Sequence, residues 1–146
     1  MLRSIYIFFF ITILFLLSCT KDDTDVIFEI NLLDTFPLEI VEFQENIYVK
    51  VFYQHPQGYL GFYDPDYLSL EVKDSRLSQP DYYHVIPITP PNNSLSITGE
   101  LLVEIDSPFI FGNGLIELVN FTIRIQDQNL VWSNAITTPN ISVNKQ

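Results

Sequence analysis

Apolar and polar residues alternate with a period of two along most of this chain. In residues 47–54, Ile47, Val49, Val51 and Tyr53 share one face while Lys50 and Gln54 lie on the other, which predicts a half-buried strand with Lys50 on its wet side. Residues 68–72 set Leu68, Leu70 and Val72 against Ser69 and Glu71, and residues 101–105 set Leu101, Val103 and Ile105 against Leu102 and Glu104. Phe121 to Ile125 follows the same rule, and residues 136–143 supply a last strand in which Pro139 marks an edge or a bulge. Further strands are expected at 26–32, 38–41 and 82–86. Clusters of Pro, Gly, Asn and Asp separate these runs, and no helical periodicity stands out after residue 25. The pattern predicts an all-β fold: a single immunoglobulin-like antiparallel β-sandwich of about seven or eight strands, with a small barrel as the alternative.

The first residues follow a different rule. Arg3 precedes an almost unbroken apolar run over residues 5–17, closed by Ser18 and Cys19. That run has the length of a secretory-signal core and falls short of the roughly 20 residues a membrane-spanning helix needs. The segment Leu16-Leu17-Ser18-Cys19 resembles the lipobox of bacterial lipoproteins, which implies diacylglycerol on the Cys19 thiol and cleavage before it. The expected organisation is a signal peptide over 1–18, a lipidated N-terminus and linker over 19–25, and a sandwich domain over 26–146. Each buried methylene contributes about 0.8 kcal/mol and a single chain binds only marginally, so two or three acyl chains on one residue form a durable anchor. Directly after the anchor, Lys21-Asp22-Asp23 is similar to the short acidic export signal of Bacteroidota surface lipoproteins. It implies an outer-membrane location facing the cell surface, the alternative being a plain solvated linker on a periplasm-facing protein.

Cys19 is the only cysteine, so acylation leaves no thiol for a disulfide, a thiolate metal site or nucleophilic catalysis. The formal charge is −11, and loss of residues 1–18 removes Arg3 and no acid, making the rest one unit more negative. Such a field repels nucleic acid, and no nucleic-acid role is expected.

Several short signatures follow one another along the chain: Val49 to Tyr53, then Asp74-Ser75-Arg76, Ile86-Pro87, Gly99-Glu100, Asp127, Ser133-Asn134 and Thr138-Pro139. Over roughly residues 45–143 this order resembles an uncharacterised family of Bacteroidota lipoproteins with an immunoglobulin-like β-sandwich domain. The sequence departs from that family in two places. Where relatives have an Asp/Gly-rich loop able to hold Ca²⁺, residues 54–61 offer no carboxylate before Asp64 and Asp66, so calcium is not expected. The Gly-Asn of a later turn is replaced by Leu130-Val131, which predicts a differently built turn, with Asn129 able to take a positive φ.

Candidate chemistry is sparse. The two histidines, His55 and His84, fall short of a zinc set without two carboxylates from the fold. The serines lack a Gly-x-Ser-x-Gly setting, there is no glycine-rich phosphate loop, and no catalytic residue, metal or cofactor is expected. Trp132 is expected to plug the core or to serve as a contact hot spot, with Val131 beside it favouring the core. The segment that draws attention is 52–67, where Phe52, Tyr53, Tyr59, Phe62, Tyr63 and Tyr67 crowd between Pro56, Gly58, Gly61 and Pro65. Loop tyrosines suit stacking on a sugar ring or a peptide, and the same rings could instead cap the core. The sequence therefore predicts a non-catalytic binding or interaction module for a glycan or protein ligand, with Tyr59, Phe62, Tyr63 and Tyr67 as its contact residues. The alternative is a structural component of the envelope that pairs a sheet edge with another protein.

Overall fold

The computed structural model describes residues 27–58, 60–88 and 95–146. Cys19, the expected leader over 1–18 and Tyr59 lie outside the described residues. Ten strands and no helix are found among the described residues: β1 (Glu29–Phe36), β2 (Glu39–Val41), β3 (Ile47–His55), β4 (Leu70–Asp74), β5 (Asp81–Tyr83), β6 (Ile97–Ile105), β7 (Ile116–Val119), β8 (Phe121–Ile125), β9 (Ile136–Thr137) and β10 (Ile141–Asn144). The expected all-β class is therefore observed.

One sheet has the order β1-β3-β6, a second β5-β4-β8-β9 and a third β2-β10-β7. Only Asn120 separates β7 from β8, and β9 from β10 only residues 138–140, so the third sheet continues the second in one layer. All pairings are antiparallel except β2 with β10. The two layers enclose one core built on Ile30, Ile47, Val49, Val51, Val72, Ile123, Ile125, Ile141 and Val143, with Ile40 and Val119 from the third sheet.

The strand count exceeds the seven or eight expected for two physical reasons. The run 136–143 is broken at Thr138, whose backbone N–H and Oγ1 both turn to Phe121, so one predicted strand becomes two. β7 escapes the hydrophobic pattern because its large apolar residues, Ile116 and Leu118, face solvent while Glu117 and Val119 turn inward. Similarly, the 68–72 alternation predicts one buried face, yet Ser69 and Glu71 are buried along with Leu70 and Val72, and Leu68 is exposed. Glu71 tolerates burial because Arg124 grips both its oxygens at 2.8 and 2.7 Å and the Tyr82 hydroxyl donates to it.

β3 pairs with β6 over its full length, from Ile47 opposite Ile105 to His55 opposite Ile97. Tyr53 lies opposite Gly99, and any Cβ at 99 would collide with the Tyr53 ring and hydroxyl. That close approach explains the glycine of the Gly99-Glu100 signature. Nine residues of extended chain span about 30 Å, which separates two poles of the sandwich. One holds the 56–69 loop, the 126–135 hairpin and the entry of the chain into β1. The other holds the 42–46 turn, the 74–80 turn, the 106–115 loop and the C-terminus.

Candidate functional site

At the entry pole, Phe28 meets the His55 ring edge-on at 4.8 Å. The Asn134 side chain clasps Ile30, accepting its N–H and donating to its carbonyl at 2.8 Å each. Ser133 supports the clasp: its Oγ accepts the Ile125 N–H and donates to the Asn134 carbonyl. The Ser133-Asn134 signature thus ties the first strand to the 126–135 hairpin, a role in holding the scaffold.

His55 ends β3 and is buried against Asp127, with Nε2 3.1 Å from Oδ2. Gln57 donates its backbone N–H to Nδ1, which fixes the neutral tautomer, so Nε2 carries the proton toward the carboxylate. Asp127 Oδ1 also accepts the N–H groups of Asn129 and Val131. With both ring nitrogens engaged in a buried setting, the pair is arranged to brace two loops. Asp127 closes the hairpin through bonds from Leu130 N–H to its carbonyl and from its own N–H to Val131 O. The left-handed residue there is Leu130, with φ 66°. This corrects the expectation that Asn129 takes the positive φ. The backbone takes a glycine-like conformation at this position, and leucine bears it.

The aromatic loop rests on this brace. Phe62 and Tyr67 stack with centroids 3.8 Å apart and planes at 25°, and the Tyr67 hydroxyl donates to Gln126 Oε1 at 2.8 Å. The backbone around Phe62 is pinned by His84 Nε2 donating to its carbonyl and by its N–H donating to Val85 O. Gly61, at φ 76°, packs so closely on Ile86 that a side chain would strike the Ile86 carbonyl, and Gln128 donates to the Gly61 carbonyl. Of the predicted contact residues, Phe62 and Tyr67 are thus joined to each other and to the scaffold. Tyr63 stands out at 77% exposure. Trp132 is half-buried on the outer face under the Arg124 guanidinium, 4.4 Å from its ring centroid, and is not part of the core cluster.

The opposite pole carries a second aromatic group that the sequence does not reveal. Phe43, Phe109 and Phe111 are 65%, 44% and 46% exposed. Phe43 and Phe109 stack at 5.4 Å with planes at 13°, and Phe111 meets Phe109 edge-on at 5.0 Å. Phe43 is held in the left-handed region, φ 63°, a strained place for a bulky residue.

Beneath the rings lies a charged frame. Arg76 contacts Asp74 through Nε at 3.0 Å and Nη2 at 2.7 Å, and its Nη1 donates to Glu117 Oε2 at 3.0 Å and to the Phe109 carbonyl at 2.8 Å. The guanidinium carbon sits 4.2 Å from the Phe111 centroid. Burial alone would weaken the Arg76 charge, but its bonds to Asp74 and Glu117 outweigh that and hold its pKa above the ordinary value. Glu117 accepts the N–H groups of Gly112 and Phe111. Those two bonds, with Arg76, hold its carboxyl below the usual 4.5. Glu42 accepts the Ile110 N–H and, from the C-terminus, that of Gln146. The 106–115 loop is therefore fixed at the backbone groups of Phe109, Ile110, Phe111 and Gly112, while its phenylalanine rings point outward.

Sequence reasoning missed this group because Phe43 and the Phe109/Phe111 pair come from different turns. The available signal was an apolar Phe-Ile-Phe between Pro108 and Gly112, in a loop where burial is not expected. Comparisons of the chain with protein-family models, with curated proteins and with solved structures find no match.

Proposed function

We propose that this protein is a non-catalytic interaction module, lipid-anchored to the outer membrane through Cys19 and turned toward the cell surface, which captures a protein partner on Phe43, Phe109 and Phe111. The observation that carries this reading is the display of three phenylalanines on a salt-bridged frame at the pole opposite the chain entry. A tether on Cys19 leads into β1 at the His55 pole, so the phenylalanine pole is the one turned outward. Ordered aromatic rings lose little entropy on binding, and the Arg76 frame supplies that order in advance. Phenylalanine has no polar tip, and Arg76 is already committed to Asp74 and Glu117, so the platform suits an apolar protein surface better than a hydroxyl-rich glycan. The split of the first strand into β1 and β2, with β2 parallel to the last strand β10, supports an immunoglobulin-like reading of the sandwich.

The test places a photo-crosslinking residue at position 109 or at position 63 in intact cells, alongside external protease and a Cys19→Ala control. The reading expects a discrete crosslinked protein from position 109, none from position 63, removal by external protease, and release from the membrane in the control. Crosslinking from position 63 alone would return the contact surface to the 59–67 loop. Protection from protease would place the module on the periplasmic face.

A further inference from the structure

A different part of the molecule, independent of the phenylalanine platform, has the features of a strand-addition site. β6 is nine residues long and stands at the edge of its sheet, paired on one side with β3. Its backbone makes no other bond among the described residues. Long exposed edges invite another strand, and native proteins usually blunt them with bulges, proline or charge. β6 has a regular register and no proline.

Beside this edge lies a groove of about 400 Å³ between β6 and residues 83–88, walled by Leu70, Tyr83, Val85, Ile88, Leu101 and Val103. Its volume falls in the range of ligand-holding sites, roughly 300–1,000 Å³. Leu102 and Glu104 face the outer side and form its rim, with Leu102 55% exposed. A strand laid along β6 would send alternate side chains into the groove and the others past Leu102 and Glu104.

The charges along the rim select the occupant. Lys50 holds Glu100 at 2.7 Å, so that end of the edge is neutralised. Among the described residues Glu104 receives the neutral Asn46 amide and Tyr48 hydroxyl and no cation, and Asp106 follows it, exposed. A second copy of β6 would bring carboxylates against carboxylates, because Glu100, Glu104 and Asp106 lie on one face. We infer that the free edge of β6 accepts an extended segment of another protein with apolar residues at alternate positions and Lys or Arg between them, the cations lying against Glu104 and Asp106.

The test titrates three eight-residue peptides into purified, ¹⁵N-labelled protein: alternating Val and Lys, alternating Val and Glu, and the Val/Lys peptide N-methylated at every amide. The inference expects the Val/Lys peptide to shift the amides of residues 101–106, with the Val/Glu peptide on the order of ten-fold weaker. N-methylation should abolish binding, since it removes the main-chain donors. Glu104→Lys, a change on an exposed edge position, leaves Asp106 to offset the new cation and should therefore erase the preference between the two charged peptides. Equal affinity of the unsubstituted protein for both, an unchanged preference in Glu104→Lys, shifts confined to other strands, or undiminished binding of the N-methylated peptide would overturn the inference. So would concentration-dependent shifts in β6 without peptide, which would make a second copy the occupant.

Discussion

The two poles of this sandwich are both rich in aromatic rings, and they use them in opposite ways. At the His55 pole, Phe62 and Tyr67 stack on each other and the Tyr67 hydroxyl is spent on Gln126. At the Arg76 pole, the polar frame lies below and the rings of Phe43, Phe109 and Phe111 are left for the outside. Tyr67, brought close to the Gln126 amide, ties itself down through its hydroxyl, while Tyr63 alone of the described rings there stays exposed. Phenylalanines over a guanidinium have no such option. Aromatic density in a loop is therefore a poor guide to display; what matters is whether something else satisfies the loop backbone.

The largest effect expected from breaking this contrast comes from Arg76→Ala. It leaves Asp74 buried without its cation and frees the Phe109 carbonyl, Glu117 and the face of Phe111 together. Removing one partner of such a pair costs about 3 kcal/mol or more. Urea unfolding should show that loss, and crosslinking from position 109 should fall with it. At the other pole, Asp127→Ala removes the acceptor of two backbone N–H groups and of His55, at a cost of about 2 kcal/mol. Because the damage is local to the hairpin, crosslinking from position 109 should persist in the folded fraction. If both variants abolish it equally, the poles are not independent and the contrast fails.

Acid should act on the sandwich through two glutamates. The Glu117 carboxyl is lowered by the N–H groups of Gly112 and Phe111, and that of Glu71 chiefly by its bonds to Arg124. A folded pKa below the unfolded one gives stability that is fully present above the usual value of 4.5. That contribution is lost as pH falls through the folded value. Urea midpoints should therefore hold steady from neutral pH toward 5 and fall steeply below about 4.5. Glu117→Gln should flatten part of that fall. An unchanged slope would mean that Glu117 is paired equally well in the unfolded chain.

The contrast also explains what could be read from the sequence. Strands such as Ile47–His55 and Phe121–Ile125 were legible because one face is wholly buried, so their alternation is imposed by the core. β7 was illegible because Ile116 and Leu118 are exposed and Glu117 is turned in to serve Arg76. The short signatures were visible as residues but not as roles: Asp74 and Arg76 form the frame of the phenylalanine platform, and Ser133-Asn134 clasps the first strand. The His55–Asp127 brace joins residues 72 apart, and Phe43 reaches Phe109 from another turn. Such pairings are made by the register of the sheets, and no local pattern encodes them.

The smallest and sharpest effect compares two residues held at positive φ. Leu130 and Phe43 adopt φ 66° and 63°, a conformation that costs a non-glycine side chain about 1–2 kcal/mol. Both side chains are largely exposed, so replacing either with glycine removes strain at little loss of burial. Leu130→Gly should raise stability by about 1 kcal/mol, after part of the strain relief is offset by the greater freedom of glycine in the unfolded chain. Phe43→Gly relieves similar strain but also gives up the stack on Phe109, worth roughly 0.5–1.5 kcal/mol when well formed. Its gain should therefore be smaller than that of Leu130→Gly, by the amount the exposed stack contributes. A platform kept for binding predicts that Phe43→Gly leaves the protein folded, close to unchanged in stability, and markedly weaker in crosslinking from position 109. If that variant instead destabilises the protein by more than about 1 kcal/mol, Phe43 is a structural cap, and the strain at φ 63° is repaid by packing.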